Sequence, residues 1–217
     1  MITFCITSCN RFPLLEKTID SFLELNKYPI EKYILNEDST NKEIITKILN
    51  KYGDLFHIIR TPKNEGLLKS VDNLYKFVDT KYIFHSEDDW EYKLNTNFME
   101  QSVDILENYE DINQVWIRKD IPSQWINNDI IDNKFKIVKS PHLGGWCGFS
   151  FNPGLRRKSD YDRIFPDGFN KYRISKDIGF CELECNNIAK NNNYKAAILL
   201  EPAINHIGYK EPTKREK

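Results

Sequence analysis

KYIFHSEDDWEY, Lys81 to Tyr92, is the stretch on which the reading of this chain turns. Tyr82-Ile83-Phe84 is apolar and β-prone, yet three residues later the run arrives at Glu87-Asp88-Asp89, closed by Trp90. Like charges so close together cost free energy unless a cation sits among them, so the cluster is either loosely solvated or able to hold a metal. Which of the two applies depends on where the strand before it lies in the fold.

Working outward, NEGLLKSVDNLYKFVD begins at a glycine turn and continues with apolar residues at helical spacing, and LFHIIRTP ahead of it is a strand stopped by Pro62. KEIITKILNKY is an amphipathic helix, and KYILNEDST is a strand that breaks into polar residues. The chain opens with ITFCITSCN, a β-branched strand ending near Thr7, and FPLLEKTIDSFLEL follows as a helix after Pro13. Strands alternating with helices of about 10 to 15 residues predict βαβ units, an α/β class and a mainly parallel sheet. Ligands in such sheets bind beyond the carboxyl ends of the strands. Thr7 to Arg11, Asn36 to Ser39, Asn64 to Gly66 and Glu87 to Asp89 are therefore expected along one edge.

Downstream the pattern is less regular. FMEQSVDILENY reads as a helix, QVWIRKD and KFKIVKS as strands, and HLGGWCGFSFNPGLRR as a compact segment. ELECNNIAKNNNYKAAILLEPAINHIGY supplies one more helix and a strand, and the last seven residues, 211–217, form a charged tail. At 217 residues a single domain, 1–217, is the default.

With 31 basic against 32 acidic side chains the net charge is -1, which gives no reason to expect a nucleic acid or an anionic membrane as partner. No run approaches the roughly 18 apolar residues of a membrane span. MITFCITSCN lacks the basic lead and long apolar stretch of a secretory signal, so a cytoplasmic protein, or a piece of a larger one, is expected. Cys5, Cys9, Cys147, Cys181 and Cys185 are odd in number and show no Cys-x-x-Cys spacing, which argues for reduced thiols over zinc or disulfides.

An acidic turn at the ligand-binding edge suits Mg²⁺ or Mn²⁺, which take oxygens from one or two carboxylates together with phosphate oxygens. A metal there would neutralise a diphosphate, as a nucleotide-linked leaving group requires.

The order of the four strand-end segments resembles the inverting, nucleotide-sugar-dependent glycosyltransferases of the GT-A fold, of the family 2 type. The resemblance rests on ITSCNR, LNEDST, NEGLLKSVDNLYKFVDTKYI and SEDDW, and covers about the first 92 residues. It implies a Rossmann-like three-layer sandwich, with residues 1–92 as a nucleotide-binding half and 93–210 as an acceptor and catalytic half. Thr7, Asn10 and Arg11 would border the nucleotide, and Glu37 would replace the acid that commonly contacts base or ribose. Asp88 would contact the ribose, and Glu87-x-Asp89 falls on the family's metal-binding Asp-x-Asp element. Two Glu-for-Asp substitutions, and Asp72 where the family often has Asn, depart from the pattern.

GGWCGFSFNPGLRR is similar to the family's glycine-aromatic segment, which implies Gly145 and Trp146 near the donor and acceptor sugars; the alternative for Trp146 is ordinary core. AKNNNYKA resembles the common helix end Arg-Lys-x-Gly-Tyr. Counting back from it sets CELE on the Glu-Asp-x-Asp base motif, with Glu182 as catalytic base, Glu184 as companion acid and Asp177 as the rival upstream. A carboxylate is needed there because an acceptor hydroxyl is a poor nucleophile, and general-base help is worth about 10² to 10⁴ in rate. Glu182 and Glu184 could alternatively be surface helix residues. His206 lies where some members supply a His to metal or diphosphate, or else it is a structural histidine; His57, His85 and His142 have no such placement.

The resemblance thus implies a metal-dependent hexosyl- or deoxyhexosyl-transferase, using a nucleotide diphosphate-sugar, commonly UDP-linked, and a glycan or other hydroxyl acceptor. A sugar-phosphate nucleotidyltransferase is the rival enzyme class, although TSCNRFPLLEK lacks the glycines of its triphosphate loop. A non-catalytic nucleotide-sugar-binding module is the third reading.

Overall fold

The computed structural model describes residues 1–93, 97–118, 126–127, 129–138 and 148–210. The first strand, β1 (Ile2–Ser8), is buried along its whole length. Ile2, Phe4 and Ile6 join one core and Cys5 the other, the two-residue alternation of a strand covered on both faces.

In chain order there follow α1 (Phe12–Leu25), β2 (Lys32–Glu37), α2 (Lys42–Tyr52), β3 (His57–Arg60), α3 (Leu67–Tyr75), β4 (Tyr82–Glu87) and β5 (Trp90–Tyr92). Then come α4 (Phe98–Asn108), β6 (Ile112–Trp116), β7 (Phe135–Val138), β8 (Gly154–Arg157), α5 (Lys158–Ile164), α6 (Ile178–Asn191), β9 (Lys195–Leu199) and β10 (Ile204–His206). Eight strands form one sheet in the order β3-β2-β1-β4-β8-β6-β9-β7. The strands β3, β2, β1 and β4 are mutually parallel, β6 and β9 are parallel to each other, and β8 and β7 run antiparallel to their neighbours. The expected mainly parallel sheet is therefore present.

Two cores sandwich it. Leu15, Ile19 and Phe22 of α1, Ile48 of α2 and Ile105 of α4 cover one face; Leu68, Val71 and Tyr75 of α3 and Cys181, Cys185 and Ala189 of α6 cover the other. On the first face Phe4, Phe22 and Phe84 stack with ring centroids 4.2 to 5.6 Å apart. Each such side chain contributes about 1.5–3 kcal/mol by leaving water.

Two features depart from the sequence reading. GLRR is not part of a compact loop: it is β8, inserted antiparallel between β4 and β6. WEY and INH form a separate two-stranded ribbon, β5 with β10, in which Trp90 pairs with His206. The helix and strand expected in ELECNNIAKNNNYKAAILLEPAINHIGY are α6 and β9, and His206 lies in a further strand, β10, that the sequence reading did not include. Among the described residues no helix is long and apolar enough to cross a membrane, and Cys5, Cys9, Cys181 and Cys185 are free thiols. Cys147 and the 211–217 tail lie outside the described residues.

Candidate active site

Parallel register aligns the strand ends. Thr7 of β1 is level with Glu87 of β4, and Ser8 with Glu37 of β2. Beyond Ser8 the chain turns at Asn10, which takes a left-handed φ of 59°, a conformation asparagine tolerates better than most residues. The Asn10 N–H donates to Glu37 Oε1 at 2.8 Å. The result is a cleft of about 430 Å³ bordered by Thr7, Arg11, Asp38, Asn64, Glu87 and Asp88 among others.

Arg11 reaches across the cleft floor. Its Nε donates to Asp88 Oδ2 at 3.2 Å, an Nη pairs closely with Asp88 Oδ1, and its other Nη lies 3.0 Å from Asp89 Oδ2. The Cys9 N–H adds a donor to Asp88 at 3.3 Å. Burial pushes the Asp88 carboxyl up to about 7 against the pull of Arg11. Asp89 is also buried, but His206 and Arg11 together hold it below the usual carboxylate range. Glu87 is driven well above its usual value, first by burial and then by the charges of Asp89 and Glu182. Trp90 packs in the core and its indole N–H donates to Glu87 Oε2 at 3.4 Å.

The ribbon backs Asp89. Pairing of β10 with β5 brings His206 Nε2 to 3.3 Å from Asp89 Oδ2, while its ring lies 4.8 Å from that of Trp90. His206 Nδ1 is buried with no partner among the described residues. The next residues close over Asp89: the Ile207 N–H donates to its carbonyl at 2.8 Å, and a Cβ at Gly208 would clash with Asp89 Oδ2 and lie 2.8 Å from the Asp89 Cβ and Cγ. Only a residue without a side chain admits that approach.

On the other side stands α6. Asp177 caps the helix, accepting the Gly179 N–H at 2.9 Å, and is exposed. Glu184 is half-buried. Glu182, by contrast, is 8% exposed and faces inward. Its Oε1 accepts the Ser150 hydroxyl at 2.8 Å and the Phe151 N–H at 2.7 Å. Burial raises its pKa, opposed by those two donors and by the charges of Arg118 and Arg156. The alternative of a surface helix residue does not describe Glu182.

Thr7, Arg11, Glu87, Asp88 and Asp89 thus border one cleft; His206 stands against Asp89, and Glu182 lies near enough to Glu87 for their charges to interact, without either bordering the opening. Asn10 and Glu37 stand behind it and shape the turn; Glu37 is fully buried and does not border the opening. Its neighbour Asp38 does, with its carboxylate occupied by Thr61, Glu65 and Gly66 at 2.7 to 2.8 Å. Gly145 and Trp146 lie outside the described residues, as does His142. Cleft residues that sequence reasoning did not single out are Arg173 and Lys176. Arg173 Nη1 donates to the Glu65 carbonyl at 3.0 Å across a separation of 108 residues, and no local pattern announces such a contact.

Among the described residues no three His, Cys, Asp or Glu side chains already converge as a complete metal set. The donors present nonetheless suit Mn²⁺ or Mg²⁺. Asp89 and His206 face one another, and buried Glu87 is crowded with negative charge that a cation would relieve. Such ions commonly take only one or two protein carboxylates and complete their shell with phosphate oxygens and water.

The mainly parallel, mixed eight-stranded sheet with its helices matches the GT-A fold. Residues 3–163 match the model of glycosyl transferase family 2, and the chain belongs to that family. Among solved structures it is similar to a mannosyltransferase from Pyrobaculum calidifontis in complex with GDP-Man and Mn²⁺, with a TM-score of 0.65 and 12% identity, covering 98% of this chain and 58% of that one. It is likewise similar to S. aureus TarS 1-349 in complex with UDP-GlcNAc, with a TM-score of 0.65 and 12% identity, covering 100% of this chain and 59% of that one. This chain therefore spans somewhat over half the length of those two structures. No curated protein matches its sequence.

Proposed function

We propose that the protein transfers a sugar from a nucleotide diphosphate-sugar to a hydroxyl acceptor with inversion at C1, using Glu182 as general base. The observation that carries this is the inward, buried carboxylate of Glu182, close enough for its charge to interact with that of Glu87, which borders the cleft together with Asp88 and Asp89. Glu182 takes the proton of the acceptor hydroxyl as its oxygen bonds to C1, and the C1–O bond to the diphosphate breaks with the electron pair leaving on the nucleoside diphosphate. One base opposite the leaving group gives a single displacement and so inversion.

Thr7, Arg11 and Asp88 border the nucleotide, with Asp88 toward the ribose, while Asn10 and Glu37 fix the turn behind them. Asp89 and His206, with Glu87, would hold Mn²⁺ or Mg²⁺. When bound, such an ion supplies positive charge to the leaving diphosphate. A uridine donor is the expectation from the family; TarS with UDP-GlcNAc and the mannosyltransferase with GDP-Man define the two donors to try first. Gly145 and Trp146 are proposed near the sugars.

The test is Glu182→Gln. Transfer or donor hydrolysis with Mn²⁺ and either donor is expected to fall about 10² to 10⁴-fold, with donor binding by calorimetry retained. Undiminished turnover would remove Glu182 from the mechanism.

A further inference from the structure

Glu182 is gripped by a short strap, residues 148–152, whose own anchorage is out of proportion to its length. Gln114 of β6 clamps the Ser150 peptide twice, its Nε2 donating to the carbonyl at 2.8 Å and its Oε1 accepting the N–H at 3.0 Å. Arg156 of β8, the register partner of Gln114, donates to the same carbonyl at 3.0 Å. Asn186, one turn after Glu182 on α6, accepts the N–H groups of Gly148 and Phe149 at 2.9 and 3.3 Å. Gln114, Ser150, Arg156 and Asn186 are all buried.

The direction of one proton is also fixed. Asn152 Nδ2 donates to Ser150 Oγ at 2.7 Å, and the Asn152 N–H lies 3.2 Å from the same oxygen. With those donors on its lone pairs, the hydroxyl hydrogen of Ser150 is left to Glu182 Oε1. That oxygen also takes the Phe151 N–H, whereas Oε2 has no hydrogen-bond partner among the described residues. Hydrogen bonds that converge on a single carboxylate oxygen hold it in one orientation.

We propose that Ser150 and Gln114 are positioning residues for Glu182: they lock Oε1 and present Oε2 as the atom that takes the acceptor's proton. This rests on Glu182 being the base. Neither residue borders the nucleotide cleft, so their loss changes turnover and not donor affinity.

The experiment compares wild type, Ser150→Ala, Ser150→Thr and Glu182→Gln, following nucleoside diphosphate release from UDP-GlcNAc and GDP-mannose with Mn²⁺, donor Kd by calorimetry, and melting temperature. Ser150→Ala is expected to lower kcat about tenfold or more, as for loss of a hydrogen bond to a charged group, at unchanged Kd. Ser150→Thr, which keeps the hydroxyl, restores most of it. Crystal structures give a second readout that needs no turnover and no active donor. Glu182 turned off the Phe151 N–H in Ser150→Ala and returned in Ser150→Thr supports the proposal; a carboxylate unmoved in Ser150→Ala overturns it. If Glu182→Gln loses turnover while Ser150→Ala keeps it, only the positioning role falls. If Glu182→Gln keeps turnover, the base assignment falls and takes this inference with it.

Discussion

At the scale of single residues, Arg11 sets the charge balance of the cleft. It is the cation that lets Asp88 and Asp89 lie side by side in a buried turn, and removing one partner of a buried pair costs about 3–5 kcal/mol. Arg11→Gln is therefore expected to lower the melting temperature by several degrees, with Mn²⁺ restoring more stability to the variant than it adds to wild type; equal Mn²⁺ effects on both would show that Arg11 and the metal do not share these acids. Asp89→Ala should abolish the Mn²⁺-dependent part of donor binding, read by calorimetry with and without the ion, and leave the circular dichroism of the fold unchanged. Glu182 gives a pH prediction. Its pKa is raised, chiefly by burial, so the carboxylate form that the proposed base role needs appears only above the ordinary glutamate range. The acid limb of kcat should lie there, and Glu182→Gln should lose it. The stability linkage has the opposite sign: the folded state holds that proton more tightly than the unfolded chain, so Glu182's contribution is complete below the unfolded pKa and is lost as pH rises through the folded one.

At the scale of elements, the segment after α5 shows how one carboxylate can seat a stretch of chain. Asp72 of α3 accepts the N–H groups of Phe169 and Asn170 at 2.7 and 2.9 Å. Gly168 meets this carboxylate at φ 78°, where a Cβ would lie 2.7 to 2.8 Å from it. Gly168→Ala combines backbone strain with a clash, each on the order of 1–3 kcal/mol. It should lower the melting temperature by several degrees and displace Arg173 from the cleft wall; a variant that melts with wild type would contradict this account. The alternating strands and helices through β4 were legible because each carries its own period and its own boundary signal, such as Pro62 after β3 or Gly66 before α3. GLRR was not, because four residues declare no partner, and β8 is defined by β4 and β6 on either side of it. Likewise Asp88 and Asp89 stood out as a local cluster and Glu182 through its family motif. Arg173, Ser150 and Gln114 reach the site through contacts 32 or more residues distant in sequence, which no local pattern encodes.

At the scale of the whole molecule, a ligand that binds only the folded state raises its stability, by about 2.7 kcal/mol at 100 times Kd. For a chain of this size that is a rise of roughly 5–11 °C. UDP-GlcNAc or GDP-mannose should give such a shift with Mn²⁺ and a smaller one without; a shift indifferent to Mn²⁺ would count against the metal. The two-stranded ribbon also bears on how the site comes into being during synthesis. Asp89 is made less than halfway along the chain, whereas the imidazole that faces it is made 117 residues later, in β10. β1 to β4, Arg11 and the acids are all synthesised before His206. Completion of β10 is then the event that brings a histidine to Asp89, and a chain stopped short of Ile204 would lack the ribbon pairing that sets it there.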